Sequence, residues 1–191
     1  MKLKFLAIPA LAVVLAACGV AQWVKAAQQI LPIVLPMVTN LVAAVSLLEG
    51  ETISPSDLNT ISQTANQVST DLNLVGQLVN QYQSSPSTTT LSSINNALAD
   101  VNAHLNALMP ALHITDPATV QKITAIAMLI NTEVSSIEQI LPLVSGGQAH
   151  ATSRVAVPLN AAQLKRQYDA IVTQPSSNAQ VDAAFAKAVL K

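Results

Sequence analysis

The side chains of this chain that could do chemistry are few: one thiol, Cys18, three imidazoles, His104, His113 and His150, and ten carboxylates. A single cysteine excludes an intramolecular disulfide framework and a multi-thiolate zinc site. Zinc or di-iron centres in helical proteins draw on Glu-x-x-His pairs or on carboxylates converging from several helices, and no Glu-x-x-His occurs. The three histidines therefore read as solvated, His104 within a helix, His113 at its end and His150 in a linker. No serine stands in Gly-x-Ser-x-Gly or Ser-x-x-Lys, so nucleophilic catalysis has no local signature. No glycine loop that could cradle a phosphate exists either. Glu133 and Glu138 on one predicted helix, and Asp71 on another, read as members of solvated faces. The expectation is a protein that is not an enzyme, with no catalytic, cofactor-binding or metal-ligating residue to assign.

That leaves the thiol. Cys18 closes the sequence Leu15-Ala16-Ala17-Cys18, which follows a basic start (Lys2, Lys4) and an apolar run from Phe5 to about Val14. Basic start, apolar run and small residues are the three parts of a secretory signal. The run is shorter than the ~20 apolar residues a helix needs to span a bilayer. This stretch resembles the signal of bacterial lipoproteins, whose lipobox reads Leu, a small or apolar residue, Ala or Gly, then Cys. The resemblance implies a diacylglycerol on the Cys18 sulfur, removal of residues 1–17 and acylation of the new amino terminus. Several acyl chains anchor firmly, since each buried CH₂ contributes ~0.8 kcal/mol. Gly19 stands where many inner-membrane lipoproteins of Gram-negative bacteria carry aspartate, so the resemblance favours the outer membrane in such a host.

The elements that must present this anchor are helical by composition. Hydrophobic residues make up 51% of the chain but aromatics only 3%, with five glycines. That is an aliphatic helix composition, because strands lean on aromatic and β-branched residues separated by frequent turns. Neutral polar residues dominate the remainder: 57 Ser, Thr, Asn and Gln against 19 charged side chains. Few i,i+4 ion pairs are available, so stability is expected to come from packing. Charge is divided along the chain. Ala26 to Ser153 holds eight acids and one base, Lys122, whereas Arg154 onward holds five bases and two acids. Nucleic-acid binding needs a concentrated basic face, and an acidic body excludes it as a partner.

Four runs carry apolar residues at alternating spacings of three and four, which places one stripe along each helix. They are Val20 to Leu48, Leu58 to Tyr82, Leu91 to Leu112 and Val120 to Val144. Ser54-Pro55 and Asp116-Pro117 supply a capping side chain and a proline at the first helical position, with Asp57 completing a capping box, and Ser85-Pro86 is a less clean version. The short connections make successive helices antiparallel neighbours. The predicted fold is all-α: an antiparallel up-down four-helix bundle over 18–145, a linker over 146–159 and two short helices over 160–191, the first capped by Asn160. Those two helices either dock on the bundle or lie on a membrane, and their amphipathic faces favour docking.

The first helix is the unusual one. From Ile30 to Leu48 only Thr39, Asn40 and Ser46 are polar, which suits a buried central helix or a membrane segment; three partner stripes favour burial. Pro32 and Pro36 should kink or break it. Trp23 suits either a membrane interface or packing beside Val20 and Val24. Gly76 suggests a close approach of helices, since glycine costs up to ~1 kcal/mol there relative to alanine. These features lead to a lipid-anchored, noncatalytic cell-envelope module with a structural or interaction role, its partners being membrane lipid through Cys18 and an envelope protein. Two alternatives rest on the first helix: a carrier of a lipid or other apolar ligand within the bundle, or a membrane-active protein that inserts helix 20–48.

Overall fold

The computed structural model describes residues 7–111, 113–141 and 160–190, with side chains from residue 23 onward apart from 109–111. The expected linker, His150, Leu112 and Val144 lie outside these residues, as do the side chains of Cys18 and Val20. Six α-helices account for most of the described chain: α1 (Ala7–Ser46), α2 (Pro55–Ser84), α3 (Thr88–Ala111), α4 (Pro117–Gln139), α5 (Ala161–Thr173) and α6 (Ala179–Phe185). A short 3-10 turn, Ala186–Ala188, continues α6. No strand occurs among the described residues beyond an isolated bridge between Glu49 and Ile53.

Each apolar stripe becomes a buried helix face. In α2 the residues Ile61, Ala65, Val68, Leu72, Val75, Val79 and Tyr82 are buried, and in α3 Leu91, Ile94, Leu98, Val101, Leu105 and Leu108. Each such Leu, Ile or Val contributes about 1.5–3 kcal/mol by leaving water. The first helix touches α2 and α4, α3 lies between α2 and α4, and α5 and α6 rest on α1 with α5 also against α4. Polar pairs fix the directions. Trp23 of α1 stacks edge-on against Tyr82 near the end of α2, with ring centroids 5.8 Å apart. Asn131 of α4 donates to Asn106 of α3 at 2.9 Å and Asn102 donates to Glu138 at 3.2 Å, so α4 runs back along α3.

Local chemistry sets the helix ends. The Ser54 hydroxyl accepts the Asp57 backbone N–H and donates to the Asp57 carboxylate at 2.6 Å. Asp116 accepts the Thr119 N–H at 2.7 Å, and Asn160 forms a reciprocal capping box with Gln163. At α3 the cap is Ser87, whose hydroxyl accepts the Thr90 N–H, and not Ser85. Ser85 precedes a proline, which disfavours the helical region for it, and it lies outside that region at φ −147°. The fourth helix stops at Gln139, short of Val144. Pro142 explains this, since it offers no N–H to Glu138 and restrains Leu141. Between α1 and α2, Gly50 takes φ +80°, a left-handed conformation that glycine adopts at no steric cost.

Two expectations about α1 and α2 are corrected, those for the prolines and for Gly76, and the choice left open for Trp23 is decided. The first helix is unbroken across Pro32 and Pro36. Both prolines lie on its exposed side, in line with Gln28, Gln29 and Thr39, where water can satisfy the carbonyls that lose their N–H partners. Trp23 is 1% exposed, a core residue whose place is set by Tyr82. A Cβ added at Gly76 meets no atom within 4 Å, so this glycine marks no close helix approach.

Candidate functional site

The residues singled out for their chemistry fall in three places. Cys18 lies within α1, which continues without a break to the buried Trp23. Five residues of helix rise about 7–8 Å at 1.5 Å per residue, so little chain separates the thiol from the core. The α1 segment Trp23–Ser46 is long and apolar enough to cross a membrane. Nevertheless its residues Ala27, Ile30, Val34, Met37, Leu41, Ala44 and Val45 are buried against the other helices, as expected of a central helix.

The histidines and acids separate from one another. His104 is not simply solvated: its Nδ1 lies 2.9 Å from Asp71 Oδ2, joining α3 to α2. The His113 backbone N–H donates to Asp57 at 3.4 Å, and its mostly exposed ring lies 3.8 Å from the same carboxylate. Asp57 thereby caps α2 and ties down the chain leading into α4. Glu133 departs from expectation, since it is 2% exposed and not on a solvated face. Among the described residues no three His, Cys, Asp or Glu side chains come together.

The densest polar cluster surrounds Lys122, which the sequence marks only as the one base of the acidic body. Its Nζ is buried and donates to the carbonyls of Val172 at 3.2 Å, Gln174 at 2.5 Å and, at 3.4 Å, Ile171. These are carbonyls at the C-terminal end of α5, where a cation complements the helix dipole. Asp182 Oδ1 of α6 lies 3.6 Å away and the Phe185 ring centroid 5.7 Å away, a cation–π arrangement. The backbone N–H of Ser176 bonds the Asp182 carboxylate and, more than offsetting burial and joined by Lys122, holds it below the usual aspartate range. At Asp116 burial acts upward, yet hydrogen bonds from Thr119, Asn178 and Ala118 outweigh it and the carboxyl sits low. Asn178 Nδ2 donates to Asp116 at 3.2 Å, fastening the start of α6 to that of α4.

Further bonds complete this seam. Asn40 of α1 donates to the Ala188 carbonyl at 3.1 Å, and the Leu190 N–H donates to Asp169 at 2.9 Å. These bonds hold the tightened turn Ala186–Ala188, which replaces the last part of the second short helix expected within 160–191. Tyr168 is fully buried nearby, and burial first, then the adjacent Asp169, push its hydroxyl well above the usual tyrosine range. Asn40, whose Nδ2 donates to Ala188, also faces that hydroxyl and acts against the rise. A cavity of about 60 Å³ lies beside Lys122, lined by Ala125, Ile171 and Pro175 among others, and a shallow groove of about 360 Å³ runs along α4 from Met128 to Gln139. Neither of these two is lined by α1. The Lys122 ammonium is saturated by groups of the chain itself, so the cluster is built to hold helices together.

No family model, no curated protein and no solved structure matches this chain.

Proposed function

We propose that this chain is a lipid-anchored, noncatalytic cell-envelope lipoprotein that acts as a structural or interaction module. In this reading Cys18 carries the lipid, residues 1–17 are removed, and the mature protein is an antiparallel up-down four-helix bundle of α1 to α4 braced by α5 and α6. Its membrane is the outer one in a Gram-negative host, and its partners are membrane lipid and an envelope protein. The observation that carries the reading is Leu15-Ala16-Ala17-Cys18 behind a basic and apolar leader. Its support from the fold is that the polar clusters bind helices to one another: Lys122 is consumed by α5 and α6, and His104 by Asp71. A lipid anchor also gives the apolar α1 no need to enter the bilayer, which agrees with its wide buried face.

The test is intact-mass measurement and membrane fractionation of the chain expressed in a bacterium with lipoprotein processing. The wild-type chain should begin at Cys18, carry acyl mass and sediment with membranes. Cys18→Ala should remain unacylated and be displaced from the lipid-anchored fraction while its helical content is unchanged. A mature wild-type chain that lacks acyl mass, or a Cys18→Ala chain held in the membrane as firmly as wild type, would overturn the reading.

A further inference from the structure

The two ends of the helical body differ in charge. No Asp, Glu, Lys, Arg or His occurs between Asp71 and Asp100, a stretch that contains the α2–α3 turn. Residues 83–89 around that turn are all exposed, and every one of them is Gln, Ser, Thr or Pro. The opposite end carries exposed Glu49 and Glu51 in the α1–α2 connection, with Asp57 and Asp116 close by at the starts of α2 and α4. The Thr52 and Thr119 hydroxyls, 3.4 Å apart, bring those two starts together.

Cys18 belongs to the neutral end. Trp23 stacks on Tyr82, and Gln28 Nε2 donates to Gln83 at 2.8 Å, so the part of α1 that follows Cys18 lies beside the end of α2. Trp23 is about 7–8 Å along the helix from Cys18, and α2 runs about 4–5 Å beyond Tyr82 toward the same side before it turns. The α2–α3 turn therefore lies at the same end of the body as residue 18, within about 10 Å of its level along the helix axis. Exposed Lys25 lies on α1 just beyond Trp23, where a cation is attracted to anionic headgroups.

From this juxtaposition, and resting on the lipid-anchor reading above, we infer that the protein stands end-on, with the uncharged α2–α3 turn seated against the lipid headgroups and the acidic α1–α2 end held away. Hydroxyl and amide groups exchange water for headgroup oxygens without the cost of desolvating a charge. The acidic end is repelled by an anionic leaflet, so the two ends are not equivalent toward a bilayer. Lying flat would bring Glu49 and Glu51 to the surface along with the turn. The thirty residues of α2 separate the two ends by about 45 Å.

Because Cys18 is the only cysteine and its sulfur is blocked once acylated, an introduced cysteine is the sole free thiol. The experiment places a fluorophore at Ser85→Cys or at Leu47→Cys, the latter an exposed site near the acidic end, in the full acylated protein. Each is reconstituted into phosphatidylcholine–phosphatidylglycerol vesicles containing a headgroup nitroxide quencher. Position 85 should be quenched severalfold more than position 47. Equal quenching at both, or stronger quenching at 47, overturns the end-on arrangement. Intact mass on the same samples separates the two levels: acylated protein with equal quenching sinks the orientation alone, whereas wild-type protein without acyl mass removes the anchor and the orientation together.

Discussion

The α2–α3 hairpin and the seam where α5 and α6 meet α1 and α4 are held by opposite means. Between α2 and α3 the contact is aliphatic, with Val68, Leu72 and Val75 facing residues such as Ile94, Leu98 and Val101, all buried. Its carboxylate–imidazole link, Asp71 to His104, lies at the margin with the histidine 35% exposed. At the seam a lysine is buried, a carboxylate of α6 approaches it, and carbonyls at the end of α5 complete its shell. A hydrophobic stripe tolerates small slips because its attraction is non-directional. A buried ammonium requires its partners in place, since leaving it or them unpaired costs the desolvation of each group. The hairpin thus supplies bulk stability, and the seam selects one docking position for the C-terminal helices.

The largest expected effect tests the aliphatic side. Leu98→Ala should lower unfolding stability by about 2–5 kcal/mol, read by urea denaturation, because Leu98 is fully buried. A loss well under that range would mean that the hairpin collapses around the cavity and is less tightly packed than described. Next comes Lys122→Met, which keeps most of the stem and removes the donor. It should cost about 2–3 kcal/mol, and amide exchange should accelerate within 161–190 far more than within α2 and α3. Uniform acceleration would erase the distinction between the two regions.

Acid titration sharpens the same contrast by a smaller amount. The carboxyl groups of Asp182 and Asp116 are both lowered in the folded protein. Their contribution is therefore fully present above the unfolded aspartate value of about 3.9 and is lost as pH falls through the lower folded values. Exchange protection of α5 and α6 should fall below about pH 4 and be less sensitive in Asp182→Asn. A seam equally protected across that range in both proteins would contradict the role given to these acids. The smallest effect is favourable: Gly76→Ala should raise stability by up to ~1 kcal/mol, because a Cβ there meets nothing within 4 Å. Destabilisation would reveal a closer contact at that face of α2.

Much of the fold was legible because it depends on periodicity and on local bonds. The stripes of α2, α3 and α4 reappear as buried faces, and Ser54, Asp116 and Asn160 cap the helices they precede. A cap is decided within four residues, and so is visible in a short window. The cap of α3 was misplaced by two residues because Ser85 and Ser87 flank the same proline, and only backbone geometry distinguishes them. The polar clusters were far less legible. Lys122, Glu133 and His104 occupy positions a single helix would assign to solvent, and each is covered or partnered by another part of the chain. Asn40, one of the few polar residues on α1, has its partner at Ala188, a separation that no local pattern spans.

The sequence by itself determined the helical class, the order of the helices found among the described residues, the lone thiol and the strip of chain free of charge. These follow from residue type, spacing and capping, which act over a few residues. Tertiary structure decided which helices touch, that α1 stays whole across two prolines because their side faces water, and that a lone lysine becomes the fastening of the C-terminal helices. It also decided that the uncharged turn lies at the same end as Cys18. The physical reason is common to all four. Burial, desolvation and the pairing of distant polar groups depend on where segments meet in space, and that is fixed only when the helices pack.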